Sequence, residues 1–518
     1  FSVGYKSEDS DRIFGNYIFR QVRTLLRERM NGTIILLIIV VYFAFLMLIS
    51  HLTGRKSDND TFFLGGKQSP WFLVAFGMIG TSISGVTFVS VPGMPLSIDM
   101  TYLQTVLGFT VGYLVIARIL LPLYYKLNLT SIYTFLEKRF GRNAYKTGAS
   151  FFLLSKIIGA AARLYIVVLI LQRFVFDAWN VPFVVTSTVI VALIWLYSHR
   201  SGIKTIVWTD ALQTAFLLGA LVLIIWQLTD KMQLDFSGVV NTVRNSGMDR
   251  IFVFDDWQTK QNFFKQFFSG IFITIVMTGL DQDMMQKNLS IRTLKASQKN
   301  MYFYGVAFLP VNLLFLVLGI LLITFAGQQQ IAIPALSDEM LPFFATQYLG
   351  FPVLLFFCIG IIAAAFSSAD SALTALTTSF CVDILEVGRY PASKAVLWRK
   401  RAHVFISLLF VIIICVIRAV NDKSIIDAIY TIAGYTYGPL LGLFSYGLFM
   451  HGNPRDKWIP YIALLSPALC FGLDFLLREL YGYKLGYEML MINGALTFVG
   501  LYLVALGRDG KKSLCPES

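Results

Sequence analysis

PWFLVAFGMIGTSISGVTFVSVPGMPL, residues 70–96, carries no charged side chain and is long enough to cross a bilayer, yet its middle is not built like an ordinary span. A hydrocarbon core of about 30 Å takes about 20 apolar residues in helical form. Between Gly77 and Phe88 the run turns to small and hydroxyl residues: Gly77, Gly80, Thr81, Ser82, Ser84, Gly85 and Thr87. Such residues let a helix unwind at mid-depth and free backbone carbonyls that can hold a cation. They also suit close packing of one helix on another, and the stretch alone supports both readings.

The rest of the chain has the same character. Of 518 residues, 56% are hydrophobic and 14% charged, and the mean hydropathy is +0.67. Apolar segments fall at 32–51, 70–96, 100–123, 148–177, 180–198, 205–228, 262–281, 300–326, 340–381, 402–420, 424–450, 457–478 and 485–507. They are too long for barrel strands and lack strict alternation. The chain therefore reads as an all-α integral membrane protein of about 13 transmembrane helices, since a spanning segment must satisfy its own backbone. The five cysteines and four histidines form no metal-ligand spacing, no disulfide framework and no catalytic cluster, which argues against an enzyme. The net charge of +13 is not a nucleic-acid signature, because most of it lies in short loops on one side.

Loops 52–69, 122–148, 198–205, 281–300, 382–402 and 451–458, with the C-terminal tail, hold about 24 Lys and Arg against about 10 on the other side. The positive-inside rule puts the first set, and the C-terminus, in the cytoplasm. With no organelle signal in view, a multi-pass protein of the plasma (inner) membrane is expected. Residues 1–29 carry Arg12, Arg20, Arg23, Arg27 and Arg29, which suits neither a translocated tail nor a signal peptide. They read as a non-native extension, with Met30 as the natural start, or as a short amphipathic surface helix. The expected organisation is then 30–69, a first peripheral helix and cytoplasmic loop; 70–228; an external loop 229–261; 262–451; and 452–518, two peripheral helices and a short tail.

Three features mark where chemistry belongs. The first is the Gly/Ser break just quoted. The second is Ala363-Ala364-Ala365-Phe366-Ser367-Ser368-Ala369-Asp370-Ser371-Ala372-Leu373-Thr374, in which Ser367, Asp370, Ser371 and Thr374 recur at helical spacing and share a face. Hard cations take oxygen ligands, and an aspartate in mid-span needs a partner or an ion. The third is a pair of lone charges, Asp210 and Arg163. Asp210 is a candidate cation ligand. Arg163 can clamp a carboxylate substrate through two parallel hydrogen bonds, or it can pair with Asp370 or Asp210 as a structural ion pair. Lys156 and Arg118 lie nearer segment ends, where long side chains snorkel, and are given no role.

On these residues the chain resembles the sodium:solute symporter family, which includes sodium–galactose, sodium–proline and sialic acid symporters. The resemblance runs over about residues 30–508 and rests on an ordered set of motifs. These are Phe62–Lys67 (FFLGGK), the Gly80–Phe88 break, Asp210 followed by Gln213, the Gln282–Gln286 stretch, Ser367-Ser368, and Tyr437-Gly438-Pro439-Leu440-Leu441-Gly442. The family implies a LeuT-like core in which 70–228 and 262–451 are inverted five-helix repeats, each opening on a broken helix. It implies a sodium site from the carbonyls of Gly80, Ile83 and Ala364 and the hydroxyls of Ser367 and Ser368. A second sodium site, as in sialic acid symporters, would use Asp210, Ser367, Asp370 and Ser371; Asp370 stands where serine is expected. The substrate would meet Ser82, Ser84, Thr87, Gln104, Arg163 and Thr278, and the arginine favours an acidic sugar such as sialic acid, or another carboxylate.

The resemblance implies sodium-coupled symport by alternating access, with Na+ and a small solute as ligands and the bilayer as surroundings. Neutral sugars and amino acids are alternative substrates within the family. A channel would need a continuous polar stripe or filter repeat, and none is visible. A sensor of this fold is the reading from another class. No nucleic-acid partner is expected; the oligomeric state is not legible, though a monomer suffices.

Overall fold

The computed structural model describes residues 33–34, 36–52, 59–199, 202–255, 257–334, 336–420 and 425–512; the extension 1–29 lies outside them. Among the described residues the chain is helical and no strand occurs. We number the principal helices α1 (Leu36–Leu52), α2 (Trp71–Ser82), α3 (Gly85–Ser90), α4 (Tyr102–Val115), α5 (Arg142–Leu171), α6 (Phe183–Ser198), α7 (Gly202–Lys231) and α8 (Phe263–Thr274). There follow α9 (Gln282–Leu289), α10 (Leu294–Gln328), α11 (Phe351–Ser379), α12 (Ala392–Val420), α13 (Ile425–Phe449), α14 (Ile459–Tyr481) and α15 (Met489–Lys512). Eight helices are long and apolar enough to span a membrane, or ten when two bent pairs each count as one span. Helices α1 and α6 are shorter apolar helices.

Both bent pairs lie where a run of five segments begins. Helices α2 and α3 meet at 58°, and the α8 unit, prolonged to Gly279, meets α9 at 64°. At the first break Ile83 (φ −80, ψ 75) and Ser84 (φ −69, ψ 171) leave helical geometry. No β-carbon on Gly85 crowds the turn, and the site one would occupy lies 2.7 Å from Val167 on α5. At the second break a π turn over Ile275–Gly279 ends α8, and Asp281 turns extended (φ −105, ψ 120). Its carboxylate then accepts from the amides of Asp283 and Met284 and caps α9. Segment 262–281 is thus shorter as a straight helix than its apolar run suggests.

The apolar run 340–381 is also divided. A short helix Met340–Gln347 stops before Gly350 (φ 89), and α11 starts afresh with Pro352 in its first turn. A left-handed glycine followed by an N-terminal proline ends one helix and begins another.

Small residues set how close the helices come. A β-carbon on Gly80 would lie 2.1 Å from the Thr214 hydroxyl of α7, and one on Gly77 would lie 2.9 Å from the Asp210 side chain. This contact brings Asp210 beside the end of α2. In the same way Gly108 of α4 sits against the Phe267 carbonyl of α8, and Gly270 against that of Thr105. The FFLGGK stretch is a tight turn, with Gly65 and Gly66 at φ 60 and 65, and Gly202 at the start of α7 fits under the Phe62 carbonyl.

Candidate cation and substrate sites

The end of α2 meets the middle of α11. The Ser368 hydroxyl donates to the Thr81 carbonyl at 3.2 Å and to the Ala364 carbonyl at 3.0 Å. The Thr81 and Ser367 hydroxyls lie 3.2 Å apart. Gly80, Ile83, Ala364, Ser367 and Ser368 are all buried around this junction. The last carbonyls of a helix lack intrahelical donors. Here the Thr81 carbonyl stands beside the Ser368 hydroxyl, with the Ser367 hydroxyl near, neutral oxygens of the kind a hard cation takes.

Asp210, wholly buried on α7, adjoins this junction. Its Oδ1 accepts from the Ser367 hydroxyl at 2.8 Å, and its Oδ2 from Ser371 at 3.3 Å. The sequence reading missed its strongest partner. The ammonium of Lys287, on α9, lies 2.7 Å from Asp210 Oδ2 and donates to the Thr81 hydroxyl at 2.7 Å. Lys287 is itself buried and stands 3.9 Å from Asp283. A second lysine extends the chain of charges: Lys156 Nζ lies 2.8 Å from Asp283 and 3.1 Å from Asp281. The Tyr437 hydroxyl, from the YGPLLG motif, donates to Asp281 at 2.8 Å. Lys156 therefore does not snorkel; it lies inside the protein between two carboxylates. Buried charges of this kind are tolerated because each is paired.

Asp370 stays apart from that chain of lysines. Its Oδ2 accepts from the Tyr197 hydroxyl at 2.8 Å, and its Oδ1 from the Ser371 amide at 2.6 Å. The structural ion pair weighed for Arg163 is thus absent: Asp210 is held by Lys287 and Asp370 by Tyr197. Arg163 enters no ion pair among the described residues and lies half-buried on the wall of a cavity of about 90 Å³. Ser82, Thr278, Thr81, Ser368, Lys156 and Asp283 share that wall with the aromatic rings of Phe109, Tyr113 and Phe308. The Ser82 hydroxyl bonds to that of Tyr304.

Three of the six expected substrate contacts, Ser82, Arg163 and Thr278, line the cavity. Ser84 sits at the break and Thr87 past it on α3, and neither is among the lining residues. Gln104 needs correction. It is fully buried, and its amide is spent on the backbone: it donates to the Gln261 carbonyl at 2.9 Å and accepts from the Val253 amide at 3.1 Å. It fastens the long loop after α7 and does not face the cavity.

Helix α9 lines one side of the site and is fastened to its neighbours. Gln282 donates to the Thr130 carbonyl at 2.8 Å and accepts from the Ile132 amide at 3.0 Å. Gln286 donates to the Phe63 carbonyl at 2.6 Å and to the Thr378 hydroxyl at 3.1 Å. The carbonyls bared at the second break, Gly279 and Leu280, accept from Tyr124 at 2.8 Å and Tyr133 at 2.9 Å.

Comparison with known proteins follows this geometry. The profile of the sodium:solute symporter family matches residues 62–453. The sodium/sialic acid symporter NanT of Aliivibrio fischeri is 25% identical over 479 residues, 90% of this chain and 93% of that protein. SiaT of Proteus mirabilis, also a sodium/sialic acid symporter, is 24% identical over 475 residues, 88% of this chain and 93% of that protein. Sodium-coupled monocarboxylate transporter 2 of Bos taurus is 26% identical over 449 residues, 81% and 69% of the two chains. Among solved structures, a substrate-bound, outward-open Na+-coupled sialic acid symporter superposes with a TM-score of 0.78 at 22% identity, covering 92% of this chain and 98% of that one. Mhp1, a nucleobase-cation-symport-1 family transporter in a closed conformation, superposes at 0.55 with 14% identity, covering 88% and 96%. These likenesses carry the fold, an all-helical LeuT-like core. By the reach of the matching profile, the chain is a member of the sodium:solute symporter family.

Proposed function

We propose that this protein is a sodium-coupled symporter that imports a carboxylate-bearing solute, an acidic sugar of the sialic acid type, by alternating access. The observation that carries the substrate class is Arg163, a cavity-wall cation that forms no ion pair among the described residues. A guanidinium offers a carboxylate two parallel charge-assisted hydrogen bonds. Relatives named for sialic acid and monocarboxylate transport agree with that preference. Sodium would lie at the junction of α2 and α11, on the carbonyls of Gly80, Ile83 and Ala364 and the hydroxyls of Ser367 and Ser368. Ser84 and Thr87 would meet the solute only as the cavity opens along α3.

In this reading the repeats are 70–228 and 262–451, the spans number thirteen, and the C-terminus and the basic loops face the cytoplasm of the plasma membrane. The α9 seal is then the cytoplasmic gate. A ligand shifts the outward–inward equilibrium only by its differential affinity for the two states. Sodium, by joining α2 to α11, favours the state in which those helices touch. The membrane potential adds about 2.3 kcal/mol per charge for each 100 mV.

The test is sodium-driven uptake into proteoliposomes of N-acetylneuraminate, glucuronate and glucose, with wild type and Arg163→Ala. Loss of charged hydrogen bonds worth about 1.5–3 kcal/mol each corresponds to a fall of ten-fold or more in affinity for the carboxylates. Sodium binding should persist in the variant. Preferred uptake of glucose, unaffected by Arg163→Ala, would overturn the substrate class.

A further inference from the structure

We propose that the Lys287 ammonium is the resident second cation of this transporter, so that the chain binds one sodium ion where its Asp210 site would otherwise take another. The inference deepens the sodium-coupled reading and rests on it. Asp210, Ser367 and Ser371 gather as a cation-binding oxygen set: both serine hydroxyls point at the carboxylate, at 2.8 and 3.3 Å. The position beside Asp210 Oδ2 is already filled by a positive charge, since Lys287 Nζ is 2.7 Å away. Of the three N–H donors of an ammonium, one goes to Asp210 and one to the Thr81 hydroxyl at 2.7 Å, while Asp283 lies on a further side at 3.9 Å.

A sodium ion could take its place on Asp210 only by pushing Lys287 away. The ammonium would then lose its 2.7 Å carboxylate partner and keep Asp283 at 3.9 Å, inside a protein interior where a poorly paired charge is costly. Asp370 is turned aside from this seat, toward Tyr197 and the Ser371 amide, whose hydrogen bonds its two oxygens accept. The tether also has a direction. Lys287 belongs to α9, Thr81 to α2 and Asp210 to α7, so one side chain ties both broken helices to a third. Unlike a free ion, this cation cannot leave when the gate opens, and it carries no net charge across the membrane.

Purified full-length protein in detergent would be titrated with radioactive sodium, without any organic substrate. One ion bound per chain, with a Hill coefficient near unity, is the expected result. Two ions per chain in the wild type would overturn the inference. No sodium binding at all would instead sink the sodium-coupled reading on which it rests, so the two failures are distinguishable. In Lys287→Ala, the vacated carboxylate should admit a second ion and raise the Hill coefficient above unity. A monodisperse Lys287→Ala protein that still binds only one ion would count against the site being fit for sodium. The wild-type count stands whether or not that variant folds.

Discussion

At the junction of α2 and α11 the proposed sodium ligand that links the two helices is one hydroxyl. The Ser368 hydroxyl spans the gap between the two helices, from the Ala364 carbonyl to that of Thr81. Replacing it with alanine removes one oxygen ligand and leaves the helix intact, since alanine is the best helix former. Ser368→Ala is expected to raise the sodium concentration for half-maximal stabilisation by ten-fold or more, read as the sodium dependence of melting temperature. Unchanged sodium dependence would remove Ser368 from the site. Ser367, Ser368, Asp210 and Arg163 were legible in the sequence because an unexplained polar side chain in an apolar run demands a partner. The same rule misled at Gln104, whose demand is met by the backbone of a loop that follows about 150 residues later, which no local pattern reveals. Lys156 and Lys287 were missed for a related reason. By sequence Lys156 lies near the end of an apolar run, where lysines snorkel, and Lys287 lies in the loop 281–300; only the break after Gly279 turns Asp281, Asp283 and Lys287 inward.

At the scale of elements, the first break was written in its composition, with glycine and hydroxyl residues crowded between Gly77 and Thr87. The second break had no such marker; it was expected only through the family resemblance, and its capping aspartate looks like an ordinary loop residue. The division at Gly350 had a local signal, a glycine two residues before a proline, but the apolar run on either side concealed it. Helix spacing was less legible still, because a glycine is functional in packing only if a neighbour approaches it. Gly108 and Gly270 show this: α4 and α8 touch backbone to backbone, and a β-carbon on Gly108 would stand 2.2 Å from the Phe267 carbonyl and 3.0 Å from the Gly270 α-carbon. Neither obstacle is a flexible side chain, so the helices themselves must separate. Gly108→Val is expected to cost about 1–3 kcal/mol or more through overpacking. It should lower the melting temperature in detergent by several degrees. Gly219→Ala, on a helix face with nothing within 4 Å of the added carbon, is the control and should show no loss. Equal melting of Gly108→Val and wild type would refute the close contact.

For the molecule as a whole, the cavity sets the argument. At about 90 Å³ it is smaller than the roughly 300–1,000 Å³ of ordinary ligand pockets, so an acidic sugar fits only in a conformation that has opened further. Among the direct bonds that hold α9 to its neighbours, the two from Gln286, to the Phe63 carbonyl and the Thr378 hydroxyl, join it to the FFLGGK turn and to α11. Each is worth a net of about 1 kcal/mol. Removing both would shift the closed–open equilibrium by roughly ten-fold or more, since 1.4 kcal/mol is a factor of ten. Gln286→Ala should therefore populate the state open at this end. The reporter is Met284→Cys, a cavity-lining position on the same helix, in a background with the native cysteines replaced. Its reaction with a membrane-impermeant thiol reagent, applied from the side of the basic loops, should accelerate by that factor in Gln286→Ala, and sodium should slow it again by rejoining α2 to α11. Acceleration from the opposite side would reverse the assignment of the gate, and no change from either side would show that the seal lies elsewhere than in α9.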